Sequence, residues 1–207
     1  MASFLRRHAY RGGKKATELL ARLRSAPTPP TGLPPQVLAR LLAAQIQLLR
    51  TLLDTITQLE AEIKRIIATH PRARLLQQLP GIGQLNLAQI LAEVGPILDR
   101  ADNAEHAAAE CGATPVTKAS GKTTGVYFRW AANTRARKAI TAFAHNSRMQ
   151  SRWAQRLYRD ARARGKRNPH ATRIVARSWI RVIWTCWHTN TPYDPLKHTA
   201  EQRATAT

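Results

Sequence analysis

Between residues 36 and 68 the apolar side chains recur in alternating steps of four and three. The series is Leu38, Leu42, Gln45, Leu49, Leu52, Ile56, Leu59, Ile63 and Ile66, with one polar interruption at Gln45. A 3.5-residue period is that of a helical seam, so the spacing predicts one long helix. Leu41, Ile46, Leu48 and Leu53 widen the stripe, which suits packing against more than one helix. Two readings stay open. The seam joins two chains as a coiled coil, or it packs within one chain as a hairpin or bundle helix.

A run of Pro27, Pro29, Pro30, Gly32, Pro34 and Pro35 precedes this helix. Such a run cannot hold a helix and reads as a stiff linker. Residues 1–35 are therefore a basic N-terminal segment and linker, with a short helical pattern near 17–23. Residues 36–70 are the seam helix, 71–198 a second domain, and 199–207 a disordered tail. Within the second domain, helical patterns fall at about 72–78, 85–94, 102–111, 133–146, 148–164 and 170–188. Asn133 is placed to cap the fourth of these, whose apolar face is Ala136, Ala139, Ile140, Phe143 and Ala144. Residues 113–130 read as loop, with a short strand at 126–130. No repeating βαβ pattern occurs, so the fold class is mainly α.

Charge changes this picture. The formal net charge is +21 and the pI about 11.5. Between Lys118 and Arg181 there are 17 Lys or Arg and one acid, Asp160. Solubility does not need so much charge of one sign; a polyanionic partner does. Arg148, Arg152, Arg156 and Arg159 are predicted on one helical face beside Met149, Trp153 and Leu157. Arg173, Arg177 and Arg181 repeat every four residues on the next helix, and Arg164, Lys166 and their neighbours fill the connection. Like charges at this spacing cost helix stability unless phosphates neutralise them. The alternative is a solvated face whose arginine stems cover apolar surface. Of the five tryptophans, most read as core, with base stacking as the other use of such a ring.

Leu79-Pro80-Gly81-Ile82-Gly83 lies between two helical patterns and resembles a helix-hairpin-helix turn. Its glycines permit positive φ and close backbone approach, and the amides opening the next helix would face a phosphate. Leu87 departs from the motif's usual small residue. An ordinary tight turn is the alternative. Ser120 stands before Gly121 in TPVTKASGKTTG, between Lys118 and Lys122. A serine is a poor nucleophile unless its deprotonation is assisted and the phosphate neutralised. Lys118, Lys122 and Arg129 suit the second task; a plain turn serine is the alternative. Asp99, Asp102 and Glu105 read as a capping turn for the helix near 102–111 rather than a metal site. Two distant cysteines form no disulfide or zinc pattern. The seven histidines show no ligand spacing. No apolar run approaches the roughly 20 residues of a membrane span. The basic N-terminus faintly echoes a transit peptide, but the basic bias continues throughout.

In order, these segments resemble the C-terminal half of the IS110-type transposases, the DEDD serine recombinases of insertion sequences. The resemblance runs through FLRRHAYRGGKKATELLARLRSAP at 4–27, the helix after it, LPGIG, ILAEVG at 90–95, CGATPVTKASGK at 111–122, VYFRWAANTRARKAI at 126–140 and FAHNSR at 143–148. It continues through 153–187 and TPYDP at 191–195. It implies a mainly α architecture in which a coiled-coil-like helix precedes a helix-hairpin-helix domain. It implies a serine, matched by Ser120, that forms a phosphoserine link to DNA. It also implies a separate RuvC-like domain whose four acids bind Mg²⁺, assembly into dimers and tetramers through the coiled coil, and a guide RNA. No such acid set can be placed on the twelve acids of this sequence. The chain therefore reads as truncated or as one half of a split reading frame, with no cofactor of its own. Its expected setting is the bacterial cytoplasm, on the nucleoid. Its DNA contacts are expected from Gly81, Ile82, Gly83, Lys118, Gly121, Lys122, Arg129, Arg135, Arg137, Lys138, Arg164, Lys166, Arg173 and Arg177. Residues 38–66 are expected to join it to another copy or to a full-length transposase. The alternatives are a non-catalytic nucleic-acid-binding remnant and a dominant-negative dimerising fragment.

Overall fold

The long apolar seam forms a single helix, α3, over Pro35–Thr69. A computed structural model describes residues 1–27, 34–120 and 123–196 of the chain. Most of the proline-rich linker and the 199–207 tail lie outside that range. The chain divides into two units, Met1–Thr55 and Ile56–Thr207. In the first, α1 (Ala2–Arg7) and α2 (Ala16–Arg24) bury no residue. Pro35 opens α3, where its missing N–H breaks no helical bond. Leu42, Leu49, Leu52 and Leu59 are all more than half exposed, so the seam is a solvent-facing stripe over these turns. At the far end of α3 the seam changes face. Ile67 is buried and Ile63 packs on the core, whereas Ile66 is 53% exposed. The 3.5 period there gives way to an i, i+4 contact.

The second unit is a helical domain built on α10 (Asn168–His188). Short α4 (Ala73–Leu76) leads through the LPGIG turn into α5 (Gln84–Gln89). A π-helical turn at Ile90–Val94, α6 (Gly95–Arg100) and α7 (Ala104–Glu110) follow. A hairpin of β1 (Val116–Ser120) and β2 (Thr123–Tyr127) then precedes α8 (Thr134–Ser147) and α9 (Arg152–Ala163). Trp179 of α10 is fully buried at the centre. Its ring lies 5.1 Å from Phe143, 4.8 Å from Trp153 and 5.8 Å from Tyr193. Its indole N–H donates to Ser147 Oγ at 2.8 Å, so the buried polar atom is satisfied. Ile140, Val175, Ile180 and Ile183 fill the surrounding layer. Further along α10, the Trp187 ring fits against Gly95, where a Cβ would come within 3.1 Å of it.

Three local expectations change. The segment read as loop is an antiparallel hairpin, and the expected strand at 126–130 sits at 123–127 instead. Val116, Thr117 and Tyr127 carry the β-branched and aromatic character that favours strands. The capping turn of α7 is made by Asn103, whose side chain accepts from the amides of Glu105 and His106. Asp99 instead accepts from the Trp187 indole at 2.7 Å, and Asp102 faces His106 at 3.1 Å. Arg148 does not share a helix with Arg152: the chain breaks there, and Ser151 caps α9 by accepting from Ala154 N. The Asn133 cap on α8 is present, accepting from Arg135 N and Ala136 N.

Candidate nucleic-acid interface

The hairpin stands on a basic hollow. Its base is formed by Thr114, Pro115, Tyr127, Phe128 and Arg129, and α10 supplies His170, Arg173, Arg177 and Arg181. The hollow measures about 430 Å³. An i, i+4 repeat places Arg173, Arg177 and Arg181 on one face of α10, aimed at the hairpin base. Four guanidiniums thus meet here. One carboxylate answers them. Glu105 of α7 binds Arg177 at 2.6 Å and Arg181 at 2.6 Å. Burial raises the Glu105 pKa, but the bonds to Arg177 and Arg181 outweigh it and hold the carboxyl below its ordinary value. Burial, then the charges of Arg173 and Lys166, lower the pKa of His170. Four guanidiniums against the Glu105 carboxylate leave the hollow with an excess of positive charge at neutral pH.

Phe128 organises the adjoining wall. The Arg137 guanidinium lies 4.6 Å from its ring centroid and that of Arg173 4.8 Å, so two cations share one aromatic ring. Burial, then the nearby Arg137 charge, lowers the pKa of Arg173. Arg137 also donates to Arg129 O at 3.0 Å, and Arg129 donates to Thr114 O at 3.3 Å. These bonds tie the base of the hairpin to α8. A second hollow, lined by Lys138, Thr141, His145 and Thr172, continues from the far side of Phe128 and Arg173.

Ser120 ends β1, is exposed, and pairs in register with Thr123. Side chains alternate along a strand, so Ser120 shares its sheet face with Val116 and with Tyr127, whose ring rises over Gly125. Four strand steps separate Ser120 from Val116, a rise of about 13 Å. Gly121, Lys122 and the Lys118 side chain lie outside the described residues.

The LPGIG turn lies elsewhere. Gly81 has φ +74° and packs on the end of α8, where a Cβ would fall 3.0 Å from Asn146 O. Its amide donates to Gln150 Oε1 at 2.9 Å. Gly83 has φ −83°, so of the two glycines only the first uses the left-handed conformation that both permit. Arg137 and Asn146 are nine residues apart on α8, which is about 14 Å along the axis. Arg129, Arg137, Arg173 and Arg177 are therefore brought together, with Lys138 beside them. Ile82 is part of the separate turn, Arg135 is exposed near Glu93 at 3.7 Å, and Arg164 and Lys166 are exposed in the α9–α10 connection. The candidate set omitted Phe128, His170 and Arg181. Arg181 was visible in the four-residue repeat; Phe128 and His170 carried no signal of their own.

Metal ligands are a different matter. Among the described residues no three His, Cys, Asp or Glu side chains cluster. Glu105 is committed to arginines, as is Glu110, which pairs with Arg100. These residues do not fit a two-Mg²⁺ centre. Cys111 is buried, and burial with the Glu110 charge pushes its thiol up to about 12, which keeps it protonated. No helix among the described residues is long and apolar enough to cross a membrane.

The chain is similar in sequence to known proteins. Residues 73–159 match the Transposase IS116/IS110/IS902 family. The chain is 33% identical over 140 residues to the insertion element IS110 uncharacterized 43.6 kDa protein of Streptomyces coelicolor, covering 66% of this chain and 34% of that one. It is 30% identical over 137 residues to the mini-circle putative transposase for IS117 of the same organism, covering 66% and 32%. It is 27% identical over 202 residues to the IS900 uncharacterized 42 kDa protein of Mycobacterium paratuberculosis, covering 97% and 50%. The chain thus spans a third to a half of the length of these relatives.

Proposed function

This chain belongs to the IS116/IS110/IS902 family of transposases, and from that premise we propose that it grips DNA during transposition and presents Ser120 as the attacking hydroxyl. One observation carries the reading: an exposed serine ends a hairpin whose base is ringed by Arg129, Arg173, Arg177 and Arg181. The arginines hold phosphates through charge-assisted bonds, with no base specificity. Ser120 is about 13 Å up the strand, beyond the reach of a single phosphate group. The phosphates in the hollow are then neighbours of the scissile one. The LPGIG turn, about 14 Å along α8, holds the backbone at a second point.

In the covalent step Ser120 Oγ attacks phosphorus. A P–Oγ bond forms, the bond to the departing deoxyribose oxygen breaks, and that oxygen takes up a proton. The serine proton needs a base, and among the described residues no cluster of three His, Cys, Asp or Glu side chains offers one. Positive charge also does not replace metal ions in polarising a phosphate. The acids, the metal and the base are therefore assigned to a RuvC-like domain acting in trans, and the choice of site to a guide RNA.

Two measurements test this. The chain is mixed with a RuvC-like domain, Mg²⁺, the element's RNA and target DNA. A covalent adduct should form, and Ser120→Ala should abolish it while leaving affinity for DNA unchanged. An adduct on Ser120→Ala would remove the serine from its role. Second, Arg173→Ala with Arg177→Ala should lower the slope of log affinity against log salt by about 2. An unaltered slope would place the phosphates elsewhere.

A second reading rests on the same 13 Å gap: the hollow can bind nucleic acid whether or not Ser120 reacts. Duplex affinity without any adduct, once the RuvC-like domain is supplied, selects that reading. A dimerising role for α3 rests separately on its exposed leucines.

A further inference from the structure

Trp130 is 83% exposed. The other four indoles belong to the core or pack against it: Trp179 and Trp187 are buried, and Trp153 and Trp184 lie on the core's edge. An indole is the largest apolar side chain, and folding ordinarily buries it. Trp130 is held out of the core and also held in place. Its ring meets Phe128 edge-on, with centroids 4.9 Å apart and planes at 81°. Phe128 is in turn fixed between the Arg137 and Arg173 contacts. A turn follows at once, closed by Ala132 N donating to Trp130 O at 2.9 Å. The result is a braced, solvent-facing ring at the edge of a hollow rich in guanidinium groups.

From this juxtaposition we propose that Trp130 stacks on an unpaired nucleobase whose flanking phosphates occupy the arginine hollow. The inference rests on the nucleic-acid reading above and narrows it to a single-stranded or extruded nucleotide. Charge argues for this occupant: the hollow selects an anion, and the aromatic ring selects a flat, unstacked partner. A base within an intact duplex already has neighbours on both faces, so the ring gains nothing there. Unpaired DNA and unpaired RNA offer the same chemistry, and the probes distinguish them.

The test uses the whole chain and three probes of equal length at one salt concentration: oligothymidine, oligouridine and a DNA duplex. Trp130→Ala should weaken at least one single-stranded probe by about fivefold to a hundredfold, as loss of one aromatic–base stack does. Duplex affinity should stay at the wild-type value, and Trp130→Phe should recover most of the loss. Tryptophan fluorescence of the wild type should be quenched by the single strand, and that quenching should vanish in Trp130→Ala. Whichever strand shows these effects identifies the source of the base. Equal losses on duplex and single strand, or no loss on either single strand, would overturn the stacking proposal while leaving the nucleic-acid reading intact. Failure of the wild-type chain to bind any of the three would instead sink the parent reading.

Discussion

The guanidinium of Arg137 occupies the space that a side chain at Gly112 would fill. A Cβ on Gly112 would lie 2.9 Å from Nη2 of Arg137 and would overlap Nε. Gly112 also has φ +65°, in the left-handed region that side chains disfavour. The glycine that ends the turn after α7 thus lets Arg137 reach Phe128 and the Arg129 carbonyl. Gly112→Ala should cost about 1–2 kcal/mol from backbone strain alone. It should also weaken DNA binding in the same direction as Arg137→Ala. Denaturant unfolding and a binding titration check the two effects.

Glu105 restrains Arg177 and Arg181. Glu105→Gln should tighten DNA binding and raise the salt slope by about 1, because one more cation becomes available to phosphate. The same change should lower stability by no more than about 1 kcal/mol, since the pair is more than a third exposed. The folded-state pKa of Glu105 lies below its ordinary value of 4.5. Its stabilising contribution is therefore complete above the unfolded value and is lost as pH falls through the folded one. A comparison of wild-type and Glu105→Gln melting between neutral pH and pH values below 4.5 should show the two converging on acidification.

Ser147 is buried and accepts the indole N–H of Trp179. Ser147→Ala removes that acceptor without changing the packing much. The buried N–H left behind should cost about 1–3 kcal/mol. Thermal unfolding should report the loss, with nucleic-acid affinity at temperatures well below the melting point unaltered.

Leu52 and Leu59 are 51% and 58% exposed on α3. If the seam joins two chains, Leu52→Asp with Leu59→Asp should give monomers by sedimentation, with the melting of the second unit unaffected. Unchanged sedimentation of a folded mutant would rule out the intermolecular seam.

Much of this architecture was legible in the residue pattern because it depends on local periodicity. The boundary of α3, the Asn133 cap and the apolar face of α8 follow from spacing and capping chemistry within a few turns. The hairpin was harder to read. Its strands are five residues each, and the pairing of Val116 with Tyr127 is a cross-strand relation that no window on one strand contains. The acids were legible only in part. Glu105 stands in the first turn of α7 as the dipole preference expects and Asp102 faces His106 four residues on, but the partners of Asp99 and Glu105, Trp187 and the α10 arginines, lie on an element distant in sequence.

By itself the amino-acid order determined the helical class, the seam, the basic bias and the family segments, since periodicity, net charge and short motifs are one-dimensional properties. Only the tertiary structure decided which cations act together. Packing of α7, α8 and α10 around the hairpin base gathers Arg129, Arg137, Arg173, Arg177 and Arg181 near Phe128 and spends one carboxylate, Glu105, on two of them. It also decided which tryptophan stays outside. Burial depends on neighbours distant in sequence, and Trp130 alone among the five indoles is left at the surface by them.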